Sequence, residues 1–549
     1  MSNLNNSGGN YYSEGMTNPH ICAVNACKKL REYGFYMLVV CVVLQLFIDT
    51  SFRNVASVTA VFFTAIIVFA VTIRASVIRV APLPVVIVIG FNIATMSGAL
   101  VTQTLYFKPL TYNLLVPEHT FPALILFQTA LLATLILFLS GSIFFKVSDF
   151  FRSKIYIPLG LLKAPSPLQI WIMGVFGLIA IISSIDFNHV VKYGDAGPKF
   201  IEAFSYLAYA PLILPALAYT FPDNAQYTSI QNHYKFLLPY LVVLVVVGVS
   251  ANTRGGFAAP VANLGLILFL LLMLGQFVLT RAARRWFLVG VVIAALMTPI
   301  ISDLATAMVV VRGERENIST TQLVEKTFDA FHNKKEIEVY RKLQKENIGT
   351  NDYEEDYITN PFLTRLILTK FTDNMLSLTD VRNGRHAEVI WGVTNKMLIA
   401  MLPTPVLKFF GSNLDKEDIR FSVGDLLYAI QNGFGLGEYK LGSSVAHGIA
   451  LMGFASFLVI IPMFLIVFIA LQSFSISIGG WVIFSPLILL QLISLYYLPV
   501  SDSFLGPVMY LIRTLPQNIL IYILVFYASW LIASTMQLMT RPRIKMVEY

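Results

Sequence analysis

Charge is what this chain is short of. Asp, Glu, Lys and Arg make up 13% of its 549 residues, where about 25% is usual for a soluble domain. Cysteine is scarcer still, at Cys22, Cys27 and Cys41 only. None lies in the long polar stretch described below, so no disulfide staples that stretch, and Cys22 and Cys27 lack metal-ligand spacing. No P-loop, dinucleotide fingerprint, HExxH or internal repeat is present, and no ligand set for a metal stands out. No cofactor is expected. The net charge of +8 is not a nucleic-acid footprint, because basic residues flanking membrane helices produce the same excess.

What the chain has is apolar length. Hydrophobic residues reach 56% and the mean hydropathy is +0.70. Apolar runs of roughly 17–25 residues recur, the length a helix needs to cross about 30 Å of hydrocarbon. The runs are continuous rather than alternating, which excludes a β-barrel. The expected fold is all-α, a polytopic transmembrane helical bundle of about twelve spans. Their cores fall near 33–49, 55–73, 82–104, 121–145, 167–185, 200–220, 235–252, 256–280, 286–311, 445–472, 477–499 and 518–538.

Residues 1–32 form a polar tail rich in Asn, Ser and Gly, expected to be cytoplasmic and disordered. No small-residue cleavage site follows the first apolar run, so Tyr33–Phe47 is expected to remain as a signal anchor. Outside 312–444, alternate connections carry 16 basic residues on one side and 6 on the other. The richer side is cytoplasmic by the positive-inside rule, which puts both termini inside. The chain then divides into the tail, N-terminal transmembrane helices at 33–311, a large extracytoplasmic (periplasmic) loop at 312–444, and C-terminal transmembrane helices with a short cytoplasmic tail at 445–549.

That loop holds 17 of the 39 Lys and Arg and 19 of the 31 Asp and Glu. Phe362–Leu378 and Val389–Leu402 carry apolar residues at helical spacing with polar residues between, and are too short or too charged to span comfortably. They are expected as amphipathic helices on the outer membrane surface. Ser319–Glu355 is more charged and reads as solvated helix.

Candidate site residues gather on the same outer side. Arg254 occupies a very short link and is followed by Gly255 and Gly256, which let backbone approach a ligand and leave N–H groups free. An arginine there suits a lipid-linked diphosphate through bidentate hydrogen bonds, or simply snorkels from a helix end. Arg312 and Arg315 lie beyond the ninth run and serve equally as diphosphate contacts or as interfacial flanks. Asp303, inside that run, is a costly carboxylate placed as a supporting group around the site. Thr379 to Glu388 packs Arg382, Arg385, His386 and Glu388 with Asp380, a density of donors and acids that suits a sugar or diphosphate and also suits a solvated turn. His447 opens the tenth run, where a neutral imidazole can take a hydroxyl proton as general base or sit as a structural group.

Asn252-Thr253-Arg254-Gly255-Gly256, the large loop, Gly442 five residues before His447-Gly448, and then Met452-Gly453-Phe454 resemble the Wzy-type O-antigen polymerases. Leu402-Pro403-Thr404-Pro405 with Phe409-Phe410-Gly411 is similar to the proline-aromatic segment of their loop. The resemblance implies a membrane glycosyltransferase of the bacterial inner membrane, related to the O-antigen ligases and GT-C-like enzymes. Such an enzyme polymerises oligosaccharide repeat units carried on undecaprenyl diphosphate for lipopolysaccharide. It implies that Arg254 holds the diphosphate, that Arg312, Arg315, Arg382 or Arg385 makes a second contact, and that His447 activates the acceptor hydroxyl; failing His447, Glu388 is the expected base. A Wzz-type chain-length regulator is the implied protein partner, beside the bilayer and the lipid-linked glycan, and no metal takes part. Ala446-His447-Gly448 departs from the His-Asn pair favoured by the ligases. A ligase acting on the lipid A core and a lipid-oligosaccharide flippase are the alternatives.

Overall fold

The computed structural model describes residues 19–184, 203–221, 231–250, 254–277, 320–347, 366–379, 384–402, 404–411, 421–433 and 440–540, with isolated residues between these stretches. Residues 1–18 of the expected tail lie outside this set. From Pro19 onward the chain is already helical, so α1 (Pro19–Ile48) begins inside the stretch expected as tail. α2 (Phe52–Thr72) starts where the Ser51 hydroxyl accepts the Asn54 N–H. α3 (Pro82–Leu105) and α4 (Pro117–Ser140) both open on proline, whose missing N–H costs nothing in a first turn.

Among the described residues six helices are long and apolar enough to cross a membrane: α1 to α4, Ser444–Gln472 and Gly506–Met536. Shorter apolar helices follow the expected runs at α6 (Pro167–Ser184) and α8 (Gln231–Ser250), and at α9 (Arg254–Met273). Between α4 and α6, α5 (Ser142–Phe151) is a separate short helix. The architecture is that of an all-α membrane protein.

Two expected spans are built differently. The run at 200–220 is a 3-10 helix over Ser205–Ile213 followed by α7 (Leu214–Thr220), since Pro211 and Pro215 interrupt the α-helical ladder. The run at 477–499 is not one helix. Ser475–Ile478 and Trp481–Phe484 pair as an antiparallel hairpin, β1 and β2, around the glycine turn Gly479-Gly480. Pro486–Leu490 and Leu492–Tyr497 then form two short helices.

The polar segment supplies α10 (Thr320–His332), α11 (Lys334–Asn347), α12 (Thr369–Ser377), α13 (Gly384–Ala400) and α14 (Val423–Asn432). α15 (Ser444–Met452) and α16 (Ser456–Gln472) return to the bundle, and α17 (Leu515–Thr540) closes the described chain. The N-terminal and C-terminal helices share one core. Phe127 of α4 meets Phe457 and Phe464 of α16 edge-on, and stacks on Phe91 of α3 with centroids 4.7 Å apart. Phe138 meets Phe468 in the same way.

One irregularity fixes the position of the polar segment. α3 widens into a π-turn at Ile93–Ser97, which leaves carbonyls without their usual α-helical donors. Leu368 N–H donates to Ala94 O at 2.7 Å, and the Thr369 hydroxyl to Thr95 O at 2.7 Å. Gly98 permits this approach, because a Cβ there would stand 2.2 Å from Ile93 O and 2.8 Å from Ile367 Cδ1. α12 consequently lies inside the bundle, with Thr369 to Met375 all buried. This corrects the expectation of a surface helix over 362–378. Thr369, Lys370, Thr372 and Asp373, polar groups that suggested an amphipathic surface, find partners inside the protein.

Candidate functional site

His447 sits in the first turn of α15, which begins where the Ser443 hydroxyl accepts the Ala446 N–H. The imidazole is wholly buried. Phe504 N–H donates to Nδ1 at 3.2 Å, and the Ser503 hydroxyl lies 3.1 Å from the same nitrogen. A backbone N–H can only donate, so Nδ1 is the accepting nitrogen and Nε2 carries the proton. Nε2–H then donates to Thr394 Oγ at 3.0 Å. The neutral ring ties three segments together: α13, α15 and the connection at 501–505. Gly448 lets Phe504 close over the turn, since a Cβ there would stand 2.6 Å from the Phe504 ring.

Thr394 belongs to α13, the helix that also carries Glu388. Trp391 Nε1–H donates to Leu451 O at 3.0 Å and locks α13 onto α15. Ile390 and Thr394 face inward, while Glu388, Val389 and Ile399 are exposed. Arg385 and His386 lie in the first turn of α13, and their side chains fall outside the described set, as does Arg382 altogether.

The approach to α15 is clamped by two carboxylates that sequence reasoning passed over. Asp502 accepts the N–H groups of Gly442 at 2.5 Å and Val423 at 3.0 Å. Asp425 accepts Lys440 N–H at 2.8 Å and completes a capping box with Ser422 at the start of α14. Ser444 N–H donates to Ser501 O at 2.9 Å, and its hydroxyl to Pro499 O at 2.6 Å. Lys440 Nζ stands 4.0 Å above the Tyr428 ring. Burial pushes the Asp502 carboxyl up, Asp425 nearby adds to this, and the two N–H donors pull it back. An isolated Asp amid Leu498-Pro499-Val500-Ser501 was the available signal.

Asp373 is a second anchor of the polar segment. It accepts the N–H groups of Leu115 at 2.6 Å and Val116 at 3.0 Å, and the Thr120 hydroxyl at 2.9 Å, at the entry of α4. Thr372 and Ser443 share a hydroxyl contact at 3.0 Å, so α12 touches both the α4 entry and the α15 cap.

The remaining candidates are placed elsewhere or not described. Arg254 is the first residue of α9, its side chain lies outside the described set, and α9 packs through Asn263, which bonds Leu489 O and Ile493 N–H at 2.8 Å each. Arg312 and Arg315 lie outside the described residues. Asp303 binds Lys334 at 2.5 Å and Arg341 at 2.8 Å, which ties the charged α11 to the run before it. The structure therefore joins His447 to the helix of Glu388, while Asp303 serves a separate contact. Among the described residues no three His, Cys, Asp or Glu gather as a metal ligand set. No family model, curated protein or solved structure matches the chain.

Proposed function

We propose that the chain is a membrane glycosyltransferase that polymerises polyprenyl-diphosphate-linked oligosaccharide repeat units on the outer face of the bacterial cytoplasmic membrane. The observation that carries this reading is the docking of α13 on α15 through Thr394, Trp391 and His447. It holds an acid-bearing helix of the polar segment rigidly against the mouth of the bundle. A catalytic group is useful only when its own support is ordered, and Glu388 is exposed on that ordered support. Both His447 nitrogens are engaged in the described arrangement. In this reading His447 therefore orients α13, and Glu388 takes the proton of the attacking hydroxyl. Arg254, with Arg312, Arg315, Arg382 or Arg385, stabilises the departing lipid diphosphate by charge-assisted hydrogen bonds. Donors outside the cytoplasm must already be activated on lipid, which is why the leaving group is a diphosphate. The basic asymmetry of the short connections supports the sidedness, about twelve spans with both ends cytoplasmic.

A specific observation favours a second reading, a lipid-oligosaccharide flippase. The helices at Pro486–Leu490 and Leu492–Tyr497 are discontinuous, and the buried side-chain amides of Asn92 and Gln491 have no hydrogen-bond partner among the described residues. Broken helices with free polar groups are how transporters build sites within the bilayer.

One experiment separates the two. Purified wild type, Arg254→Ala, Glu388→Gln and His447→Ala receive a lipid-linked repeat unit, and products are resolved by length. The polymerase gives a ladder that Arg254→Ala and Glu388→Gln abolish and His447→Ala weakens. No ladder, with the lipid-linked unit instead moved across proteoliposomes, assigns the flippase. Transfer of a single glycan to a lipid A core acceptor would make the chain a ligase.

A further inference from the structure

At the far end of the Ser444–Gln472 span from His447, a second site is built on the bundle. Ser148 donates to Ile469 O at 2.8 Å and Arg152 to Gln472 O at 2.9 Å, which fixes α5 and the turn after it onto α16. Where that turn meets α6 and α17 there is a cavity of about 410 Å³, lined by Lys163, Ser166, Gln169, Tyr527, Trp530 and Ser534 among others. The Gln169 amide is already used, accepting Ser166 N–H and donating to Phe526 O at 2.7 Å. Lys163 forms no ion pair with any described residue and is exposed at the cavity.

The surroundings place this cavity at headgroup depth. Leu520, Leu524 and Leu531 of α17 are 60%, 55% and 62% exposed, and run as a stripe past Tyr527 and Trp530. Val175 and Ile179 form a matching exposed stripe on α6, the helix packed against α17. On α5 and the turn after it, Ile143, Phe150, Ile155 and Ile157 are exposed, interleaved with exposed Lys146 and Lys154. Exposed apolar side chains alternating with lysines mark an element lying in the membrane interface, and Trp and Tyr are the residues of that layer. The only acid between Ser142 and Lys163 is Asp149, and Arg152 pairs with it at 2.5 Å. Lys163, which lines the cavity, is thus left without a neutralising acid from this stretch.

We propose that this cavity binds the headgroup of an anionic phospholipid, its phosphodiester held by Lys163 and its acyl chains laid along the apolar stripes of α6 and α17. The charge of Lys163 selects a headgroup of net negative charge over a zwitterionic one. The apolar stripes distinguish a lipid from a free anion, which has nothing to place against them.

The test uses the full-length protein, delipidated and returned to nanodiscs of phosphatidylglycerol or phosphatidylcholine, with retained lipids counted by native mass spectrometry. Wild type should retain phosphatidylglycerol preferentially and show a higher thermal midpoint in it. Lys163→Ala should weaken that retention about five-fold, the worth of one interfacial lysine. Lys163→Arg should restore it, and Lys146→Ala should leave it nearly intact. Equal retention of both lipids overturns the proposal, as does equal weakening by Lys163→Ala and Lys146→Ala. Full displacement of the lipid by inorganic phosphate would give the cavity to a free anion and overturn it also.

Discussion

Lys370 Nζ stands 3.6 Å from the Asp373 carboxylate, one turn apart on α12, and neither side chain reaches solvent. The same carboxylate holds the N–H groups of Leu115 and Val116, while Lys370 also donates to Asn113 O at 2.5 Å. A buried pair contributes little over well-packed apolar residues, yet breaking one half is costly. Asp373→Ala should therefore destabilise the protein by about 3–5 kcal/mol, because it removes the counter-charge of a buried ammonium and the acceptor of two N–H donors. Asp373→Asn keeps one acceptor oxygen and should lose less. Thermal midpoints in one detergent decide this, and an unchanged midpoint for Asp373→Ala would show that α12 is held by other means.

Asp502 gives a pH dependence whose sign can be stated. Burial and Asp425 raise its carboxyl above the ordinary value of 3.8, so the folded chain binds this proton more tightly than the unfolded one. Stability from that proton is fully present below the unfolded value. It is lost as pH rises from there through the raised folded value. In Asp502→Asn that part of the slope should disappear, so midpoint against pH should be flatter than in wild type across the same window. A steeper or unchanged slope would assign the titration to another group.

Glycines at different sites should respond oppositely to alanine. At Gly98 the new Cβ meets backbone oxygen, which cannot swing away as a flexible side chain can. Gly98→Ala should cost about 1–3 kcal/mol and loosen the contacts of Leu368 and Thr369 with the π-turn. Gly265, within α9, has nothing within 4 Å of an added Cβ, so Gly265→Ala should stabilise by up to about 1 kcal/mol. Proteolysis near α12 that quickens in Gly98→Ala but not in Gly265→Ala would support the π-turn as the docking point.

These contacts explain what hydropathy and spacing reveal and what they hide. The runs at 55–73, 82–104, 121–145 and 445–472 are legible because a helix in lipid must satisfy its backbone internally, which makes length and composition sufficient. The stretch at 477–499 has the same composition but carries Gly479-Gly480 and Pro486, which turn it into a hairpin and short helices. Window hydropathy does not register that punctuation. His447 is visible from its place at a helix start, whereas its tautomer depends on Phe504, 57 positions later. Lys370 and Asp373 read as the wet face of an amphipathic helix. Their burial is tolerable because the α4 entry supplies N–H donors to Asp373 and Asn113 O accepts from Lys370.

Asp303 supplies the last prediction, since its two cations are not equivalent. Lys334 is 64% exposed, and Arg341 is 35% exposed. Arg341 also donates to the Ser302 hydroxyl at 3.0 Å, so its guanidinium spans two residues of the helical turn it docks on. Exposed pairs contribute roughly 0–1 kcal/mol and are screened by salt. Lys334→Ala should therefore shift stability by less than about 1 kcal/mol, and less still in high salt. Arg341→Ala removes a charge-assisted hydrogen bond to a partly buried acid and should cost about 1.5–3 kcal/mol. Hydrogen exchange across α11 reports the difference directly. Faster exchange in Arg341→Ala with little change in Lys334→Ala would mean that one guanidinium holds α11 down. Equal effects would mean that charge alone does so, whichever residue carries it.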